Sequence, residues 1–291
     1  MKNMTFYIVD VFAIEKSTGN QLAVFLDAGA ISDAEMQQIA LEMNYSETTF
    51  ITSNEMRSGG GYDVRIFTPN KELPFAGHPT LGTAFIIQQA LIKKPASRVN
   101  LNLKVGQIPV TWEGEFLWMR QNQPTFHREL PAEAIAPVLN LGVDDIDTRF
   151  PIQEVNTGIP FIIVPLRTHK ALKACRTDRG KYFELVEKTA AKEMLVFCPE
   201  TYSPENNLSV RVFAEYLGIP EDPATGSANG CLAGYLVKHE YFGEDSINMR
   251  VEQGYEINRP SLLLLKAQKC QSGIEVNVGG KVVMVAKGEW V

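Results

Sequence analysis

Short apolar runs rich in β-branched and aromatic residues recur through the first part of the chain. Residues 6–12 and 22–26 are two such runs, and turn-forming residues 17–20 lie between them, so the pattern predicts a β-hairpin. Further strands, bounded by turn residues, are predicted at residues 48–52, 64–67, 99–103, 108–112 and 116–119. The first half of the chain is therefore expected to be mostly antiparallel sheet.

Three other segments have a helical pattern. Ser32 and Glu35 match a capping box, and apolar residues at helical spacing continue from there toward Asn44. Residues 79–90 and 227–237 are apolar on nearly every side, which is typical of a helix buried all round. Both segments contain small residues that permit close approach: Gly82, Ala84, Gly230 and Gly234. We predict two slender, fully buried helices.

The chain also contains an internal repeat. The segment TGNQLAVF from Thr18 resembles TGIPFIIV from Thr157, 139 positions later, and RIF at residues 65–67 returns as RVF at residues 211–213, 146 positions later. The two apolar helices follow at an offset of 149, each after a proline-bearing loop. Three signals in the same order predict two similar, domain-sized halves. The predicted boundaries are residues 1–122, residues 123–280, and a terminal strand at residues 281–291 that returns to the first half.

Composition and charge exclude several classes of protein. With 45% hydrophobic and 21% charged residues, the 291-residue chain is globular rather than disordered. The net charge of -6 argues against a nucleic-acid partner, since binding to phosphates needs a basic face. No apolar run approaches the roughly 20 residues that cross a bilayer, and no signal-peptide pattern precedes the first strand. We expect no membrane partner and a cytoplasmic location.

The sequence indicates neither a metal nor a cofactor. The four cysteines contain no C-x-x-C pair and are predicted to be buried or inert. The four histidines lack the H-x-x-x-H and H-E-x-x-H spacings of metal ligands. No G-x-G-x-x-G follows an early strand, so a nicotinamide or flavin site is not indicated either. We therefore expect chemistry that uses side chains alone.

The starts of the two buried helices are candidate ligand sites. The first N–H groups of a helix have no intrahelical partner and lie at the positive end of its dipole, so they favour an anion. Gly77 and Gly226 would let a ligand approach the backbone, Ser227 follows, and Pro79 suits the first helical position. Either start alone could be an ordinary capped helix end. The repeat favours a carboxylate-binding pocket formed by both, in a cleft between the halves.

Three ionisable side chains accompany these starts. Glu47, at a junction of helix and strand, is a candidate acid/base, because partial burial would raise its pKa toward the range useful for proton transfer. His78 could relay a proton, and Asp222 could accept a hydrogen bond from a substrate amine or hydroxyl or orient His78. The alternative is that Glu47 is solvated at the surface, that His78 has only a structural role, and that Asp222 belongs to a simple Asp-Pro turn. Glu193, the counterpart of Glu47 at offset 146, lacks the same polar frame and is predicted to be a surface residue.

Three motifs together resemble the PhzF family of phenazine biosynthesis proteins, and the resemblance runs from the first strand to the last. They are NYSETTF around Glu47, PFAGHPTLG around His78 and EDPATGSA around Asp222. The resemblance implies an α+β, diaminopimelate epimerase-like fold, in which each half is a β-barrel-like, mostly antiparallel sheet around a central helix. It also implies a homodimer. In the implied site Glu47 is the catalytic acid/base and His78 and Asp222 hold the ligand. The implied backbone donors are Gly77, Gly226 and Ser227.

The resemblance further implies a cofactor-independent isomerase. Epimerases of this fold carry a cysteine at each helix start, whereas this chain has Ala76 and Thr225, so epimerisation by two thiols is excluded. What remains is one-base isomerisation, in which Glu47 moves a proton within a small unsaturated carboxylate; the family's isomerase acts on trans-2,3-dihydro-3-hydroxyanthranilate. Two further hypotheses are a non-thiol amino-acid racemase or epimerase that uses Glu47, with His78 as a partner, and a non-catalytic small-molecule binding protein.

Overall fold

The computed structural model describes residues 3–291, which divide into two compact units. The chain up to Met119 together with Gly279–Val291 forms unit 1, and Arg120–Val278 forms unit 2. Each unit combines parallel and antiparallel strand pairs with a few helices. The α+β class predicted from the sequence is confirmed. None of the helices in the described residues is long and apolar enough to cross a membrane.

The strands are β1 Met4–Val11, β2 Asn20–Phe25, β3 Glu47–Ile51, β4 Tyr62–Phe67, β5 Glu72–Leu73, β6 Arg98–Leu103, β7 Gly106–Glu113, β8 Phe116–Arg120, β9 Thr125–Leu130, β10 Ile152–Asn156, β11 Pro160–Pro165, β12 Glu193–Cys198, β13 Leu208–Ala214, β14 Ile219–Asp222, β15 Ser246–Gln253, β16 Ser261–Cys270, β17 Gly273–Gly280 and β18 Val282–Trp290. The helices are α1 Asp33–Met43, α2 Gly77–Ile86, α3 Ala132–Ile135, α4 His169–Ala174, α5 Arg179–Val186 and α6 Gly226–Lys238.

Unit 1 begins with the predicted hairpin. Strands β1 and β2 pair antiparallel, and β18 pairs antiparallel with β1 on its other edge. Helix α1 then carries the chain to β3, which lies parallel to β2. The predicted capping box at the start of α1 is confirmed, since the backbone N–H of Glu35 donates to Ser32 and that of Ser32 donates to the Glu35 carboxylate. Asn44, in the left-handed region at φ 52°, ends the helix.

The alternation of side chains along β3 sends successive residues to opposite faces of the sheet. Phe50 belongs to the apolar cluster under α1, and its ring stacks on Phe25 with centroids 5.2 Å apart. Thr49 faces α2 instead, where its hydroxyl lies 2.8 Å from that of Thr83. Because Glu47 is two residues from Thr49, its side chain shares the α2 face.

Unit 2 repeats this order around another parallel pair. Strands β11 and β12 are parallel, and α4 and α5 connect them. Met194 and Val196 of β12 pack into the apolar cluster that includes residues of α4 and α5. Phe197 lies on the other face, with its ring 5.9 Å from that of Tyr235 in α6. By the same alternation, Glu193 faces α6.

The two helices predicted to be buried all round, α2 and α6, are each surrounded by strands of their own unit. Helix α2 contacts β1, β2, β3, β6, β7 and β18, and α6 contacts β10, β11, β12, β15 and β16. A Cβ added at Gly82 would lie 2.6 Å from Leu22 and 2.9 Å from Val11, both fully buried. One at Gly234 would lie 2.7 Å from Pro124. Close packing therefore requires glycine at positions 82 and 234.

We expect Gly82→Ala to lower the free energy of unfolding by about 1–2 kcal/mol, because the added methyl group overpacks a filled core. Helix propensity alone would favour alanine by about 1 kcal/mol, so a net loss isolates the packing effect. Urea unfolding measures it. Gly59→Ala is the control, since a Cβ there would meet nothing within 4 Å. An unchanged or raised midpoint for Gly82→Ala would contradict the packing argument.

Candidate active site

Glu47 and His78 lie next to each other in unit 1. Glu47 is the first residue of β3 and His78 the second residue of α2. Their closest atoms, Oε2 of Glu47 and Nε2 of His78, are 3.4 Å apart. Both side chains are largely enclosed, with 15% of Glu47 and 7% of His78 exposed. The strand and the helix thus bring together a carboxyl group and an imidazole that are 31 positions apart in the sequence.

His78 is a neutral imidazole at physiological pH. Burial lowers the pKa of His78 to about 3, against a small opposing effect of its hydrogen bond to the backbone of Gln21 in β2. The contact with Glu47 is therefore not an ion pair. Nε2 of His78 is buried and makes no hydrogen bond within residues 3–291. The other ring nitrogen is bonded to the scaffold, which leaves Nε2 directed toward the Glu47 carboxyl.

The start of α2 has no side-chain cap. Its N-cap residue is Ala76, and the helix begins at Gly77, which is buried. Pro79 is therefore the third helical residue rather than the first, because the helix starts two residues earlier than the proline signal predicts. The peptide N–H groups at Gly77 and His78 form the positive end of this helix.

The start of α6 is organised by a side chain that the sequence analysis did not identify, Gln253 at the end of β15. Its Nε2 donates to the carbonyl of Asp222 at 2.8 Å and its Oε1 accepts from the N–H of Thr225 at 3.2 Å and from Asn229 at 2.9 Å. The hydroxyl of Thr225 donates to the Asp222 carboxylate at 2.5 Å. Asp222 is therefore held in place both by its backbone and by its side chain. No local sequence signal links Gln253 to this helix start, because the contact arises only from strand pairing.

An ion pair precedes each central helix, partly buried in unit 1 and buried in unit 2. Arg65 donates through Nε and Nη2 to Glu72 at 2.9 and 2.8 Å, and Arg211 donates in the same way to Glu221 at 2.9 and 2.7 Å. The two arginines are the repeated residues of the sequence motif, and their partners are 149 positions apart. Such two-point contacts fix direction as well as distance. In unit 2 the anchored Glu221 immediately precedes Asp222, so the pair orients that carboxylate.

Glu193 is not the surface residue predicted from its sequence context. It is partly buried on the α6 side of β12, and burial together with the neighbouring Asp222 raises its pKa to about 7. The prediction was wrong because it was based only on the polarity of residues adjacent in the sequence. Strand register, which brings the α6 face of β12 close to β14, decides the environment instead.

Each unit therefore presents its own set of predicted site residues. Unit 1 groups Glu47 and His78 with Gly77, and unit 2 groups Asp222 with Gly226 and Ser227 at the start of α6. A carboxyl beside a neutral imidazole can exchange protons with a ligand, and uncapped helix starts can bind an anion.

Thiol chemistry is absent from these helix starts. Cys231, the cysteine of α6, is fully buried, and burial raises its pKa to about 12. The N-cap positions are held by Ala76 and Thr225, as the sequence shows. Within residues 3–291, no three histidine, cysteine or acidic side chains converge in the arrangement of a metal site.

Comparison with known proteins shows similarity along the whole chain. Residues 9–288 match the family described as phenazine biosynthesis-like protein. The trans-2,3-dihydro-3-hydroxyanthranilate isomerase of Pseudomonas fluorescens is 34% identical over 97% of this chain and 98% of that protein. An uncharacterized isomerase of Pasteurella multocida is 34% identical over 98% of this chain and 93% of that protein. The crystal structure of a PhzF-family phenazine biosynthesis protein from Bacillus anthracis superimposes with a TM-score of 0.91 and 27% identity, covering 100% of both chains.

Acidification should destabilise the wild type through His78. The unfolded chain takes up a proton below the ordinary histidine pKa of 6.5, whereas the folded state does not until its pKa of about 3 is reached. Stability associated with this residue is therefore complete above pH 6.5 and is lost as pH falls toward 3. The expected loss at pH 5 is about 2 kcal/mol.

Urea unfolding at pH 7 and pH 5 measures this loss. His78→Gln should lose less stability between the two values, while His127→Gln, at an exposed histidine, should behave like the wild type. Because the carboxyl groups are common to all three proteins, their contribution cancels. Equal losses for wild type and His78→Gln would contradict a buried, neutral His78.

Proposed function

The chain belongs to the PhzF family of phenazine biosynthesis-like proteins and is an isomerase, and from this premise we propose that Glu47 is its catalytic acid/base. The observation that carries the proposal is the 3.4 Å contact between Glu47 and a buried, neutral His78. A neutral imidazole does not trap the carboxylate in an ion pair. Glu47 can therefore take a proton from a ligand carbon and return it to another carbon of the same ligand.

His78 in this proposal positions the reacting group rather than carrying charge. The Nε2 atom can donate to a carboxylate or ligand oxygen, or accept from a protonated Glu47, depending on which tautomer is present. Its low pKa keeps it neutral at physiological pH. The hydrogen bond to Gln21 holds the ring in one orientation during the proton transfer.

The proposed ligand is a small unsaturated carboxylate. In α2 the proposed carboxylate-binding group is the N–H at Gly77, and in α6 the proposed groups are the N–H groups at Gly226 and Ser227, because neither helix start has a side-chain cap. Asp222, oriented by Gln253 and Thr225, accepts a hydrogen bond from an amine or hydroxyl of the same ligand. A molecule like trans-2,3-dihydro-3-hydroxyanthranilate, the substrate in the names of relatives such as that from Pseudomonas fluorescens, has all of these groups.

The finer architecture is part of the same proposal. We propose the diaminopimelate epimerase-like arrangement, with a barrel-like sheet around α2 and another around α6. The strands that contact each helix from several directions support it. We also propose that the enzyme acts as a cytoplasmic homodimer without a cofactor.

Glu47→Gln should lower kcat by at least about 100-fold, the usual size of a general acid–base contribution, and leave ligand affinity nearly unchanged. The amide keeps the size of the side chain but cannot take up a proton. Turnover of trans-2,3-dihydro-3-hydroxyanthranilate, followed by absorbance, and calorimetry with a non-reacting analogue give the two measurements. Glu42→Gln, at an exposed position of α1, is the matched control. Unchanged turnover in Glu47→Gln would reject the assigned role.

Product analysis in deuterated water distinguishes isomerisation from racemisation. A one-base isomerase should move the double bond, and the product should keep much of the proton that left the substrate, because the same carboxyl removes and returns it. A racemase would instead change chirality and introduce deuterium at the α-carbon while the double bond stays in place. Mass spectrometry and chiral chromatography of one reaction decide between them.

A further inference from the structure

Glu193 occupies in unit 2 the position that Glu47 occupies in unit 1. Each is the first residue of a strand that pairs in parallel with the preceding strand, Glu47 beside Leu22 and Glu193 beside Phe161. Each faces the central helix of its own unit, as the contacts of Thr49 with α2 and of Phe197 with α6 show. The internal repeat thus places a carboxyl group at the same point beneath both helices.

Asp222 lies on the same sheet face as Glu193. In the strand register, Leu195 of β12 is opposite Val212 of β13, which in turn is opposite Asp222 of β14. Residues directly opposite each other share a face, and so do Glu193 and Leu195, two apart in one strand. The equivalent position in unit 1, opposite Ile66 of β4, holds the apolar Leu73. At these equivalent positions unit 2 therefore has two carboxyl groups and unit 1 has one.

Glu193, which is partly buried, differs in its hydrogen bonding from the buried carboxylates of unit 2. Glu252 accepts hydrogen bonds from four groups, Glu221 accepts two from Arg211, and Glu154 accepts one from the N–H of Ala191. Within residues 3–291 no donor reaches the carboxyl of Glu193. Partial burial without a donor makes the ionised form of a carboxyl less favourable than it is in water. The Glu193 carboxyl therefore suits a ligand that supplies a hydrogen-bond donor.

We propose that Glu193 is a specificity-determining residue of the ligand site at the start of α6, and that together with Asp222 it recognises an ammonium group on the substrate. When the site is empty, Glu193 takes up a proton beside the charged Asp222, and it releases that proton when the ammonium binds. This inference rests on the proposed function and adds an ammonium group to the features of the substrate that the site recognises. It assigns to Glu193 a contact with the ligand, not the proton transfer at carbon.

The charges around Glu193 are consistent with the release of its proton when an ammonium group binds. The groups that interact with it electrostatically are Asp222 on β14, Cys231 on α6 and Tyr182 on α5. Burial raises the pKa of the Cys231 thiol to about 12 and raises the pKa of the Tyr182 hydroxyl as well, so both are neutral at pH 7. Asp222 is then the charge that disfavours ionisation of Glu193. An incoming ammonium ion offsets that charge and lowers the pKa of Glu193 by one to three units, the usual effect of an adjacent opposite charge.

Proton release on binding is the measurement that tests this proposal. Calorimetry in buffers of different ionisation enthalpy, with trans-2-aminocyclohexanecarboxylate as the probe, should show release of about half a proton per ligand at pH 7 and more at pH 6, as expected for a group of pKa about 7. Cyclohexanecarboxylate, which lacks the ammonium, should bind with no release. Glu193→Gln should abolish release with the amino compound, and Glu205→Gln, at an exposed glutamate, should preserve it.

A ligand-free measurement supports the same test. Because the pKa of Glu193 is raised in the folded state, the stability linked to its proton is present at low pH and is lost as pH rises through about 7. The melting temperature of the wild type should therefore fall relative to that of Glu193→Gln between pH 5 and pH 8. If the difference in melting temperature stays constant from pH 5 to pH 8, the conclusion that Glu193 is protonated at low pH in the folded protein is wrong.

The outcomes separate this inference from the proposed function. If both probes bind and release is absent, or persists in Glu193→Gln, the role of Glu193 is wrong while the carboxylate site stands. If neither probe binds and trans-2,3-dihydro-3-hydroxyanthranilate is not turned over, the proposed function fails and the role of Glu193 fails with it.

Discussion

A helix enclosed by strands of its own unit is the constraint on which the rest of this structure depends. The strands around α2 and α6 leave room only for a narrow cylinder, so Gly82 and Gly234 stand where a single methyl group would overlap its neighbours. A helix packed in this way cannot shift along its axis without breaking those contacts. Its first residues are therefore held at a defined place relative to the strands.

Side chains alternate between the two faces of each strand, and this alternation places the candidate site residues next to the fixed helix. Along β3, every second side chain faces α2, which brings Glu47 to 3.4 Å from His78. The ion pairs Arg65–Glu72 and Arg211–Glu221 anchor the segments that lead into the two helices. Because Arg211 is itself buried, removal of Glu221 would leave the guanidinium with the more distant Glu256, 3.9 Å away, as its acidic partner. The ion pairs thus restrict the segments that lead into α2 and α6.

The two units use one arrangement of elements for different chemistry. A carboxyl group begins the parallel strand in both, but the second residue of the helix is His78 in α2 and Ser227 in α6. In unit 1 the residue opposite Ile66 of β4 is Leu73, whereas in unit 2 the residue opposite Val212 of β13 is Asp222. Burial keeps His78 neutral, while burial and the charge of Asp222 bring the pKa of Glu193 to about 7. Equivalent backbone positions have therefore acquired different ionisation behaviour through one or two side chains.

Local pattern determined most of the secondary structure and the position of the candidate site. The capping box at Ser32 and the hairpin of β1 and β2 depend on interactions between residues close in sequence, and the two buried helices are marked by their continuous apolar composition, so each was predictable. Tertiary structure decided what local pattern does not encode. Gln253 reaches Thr225 from another strand, and the environment of Glu193 depends on the register of β12, β13 and β14. The physical reason is that burial and electrostatic interactions depend on distance in space, and strand pairing places residues that are far apart in the chain within a few ångströms of each other.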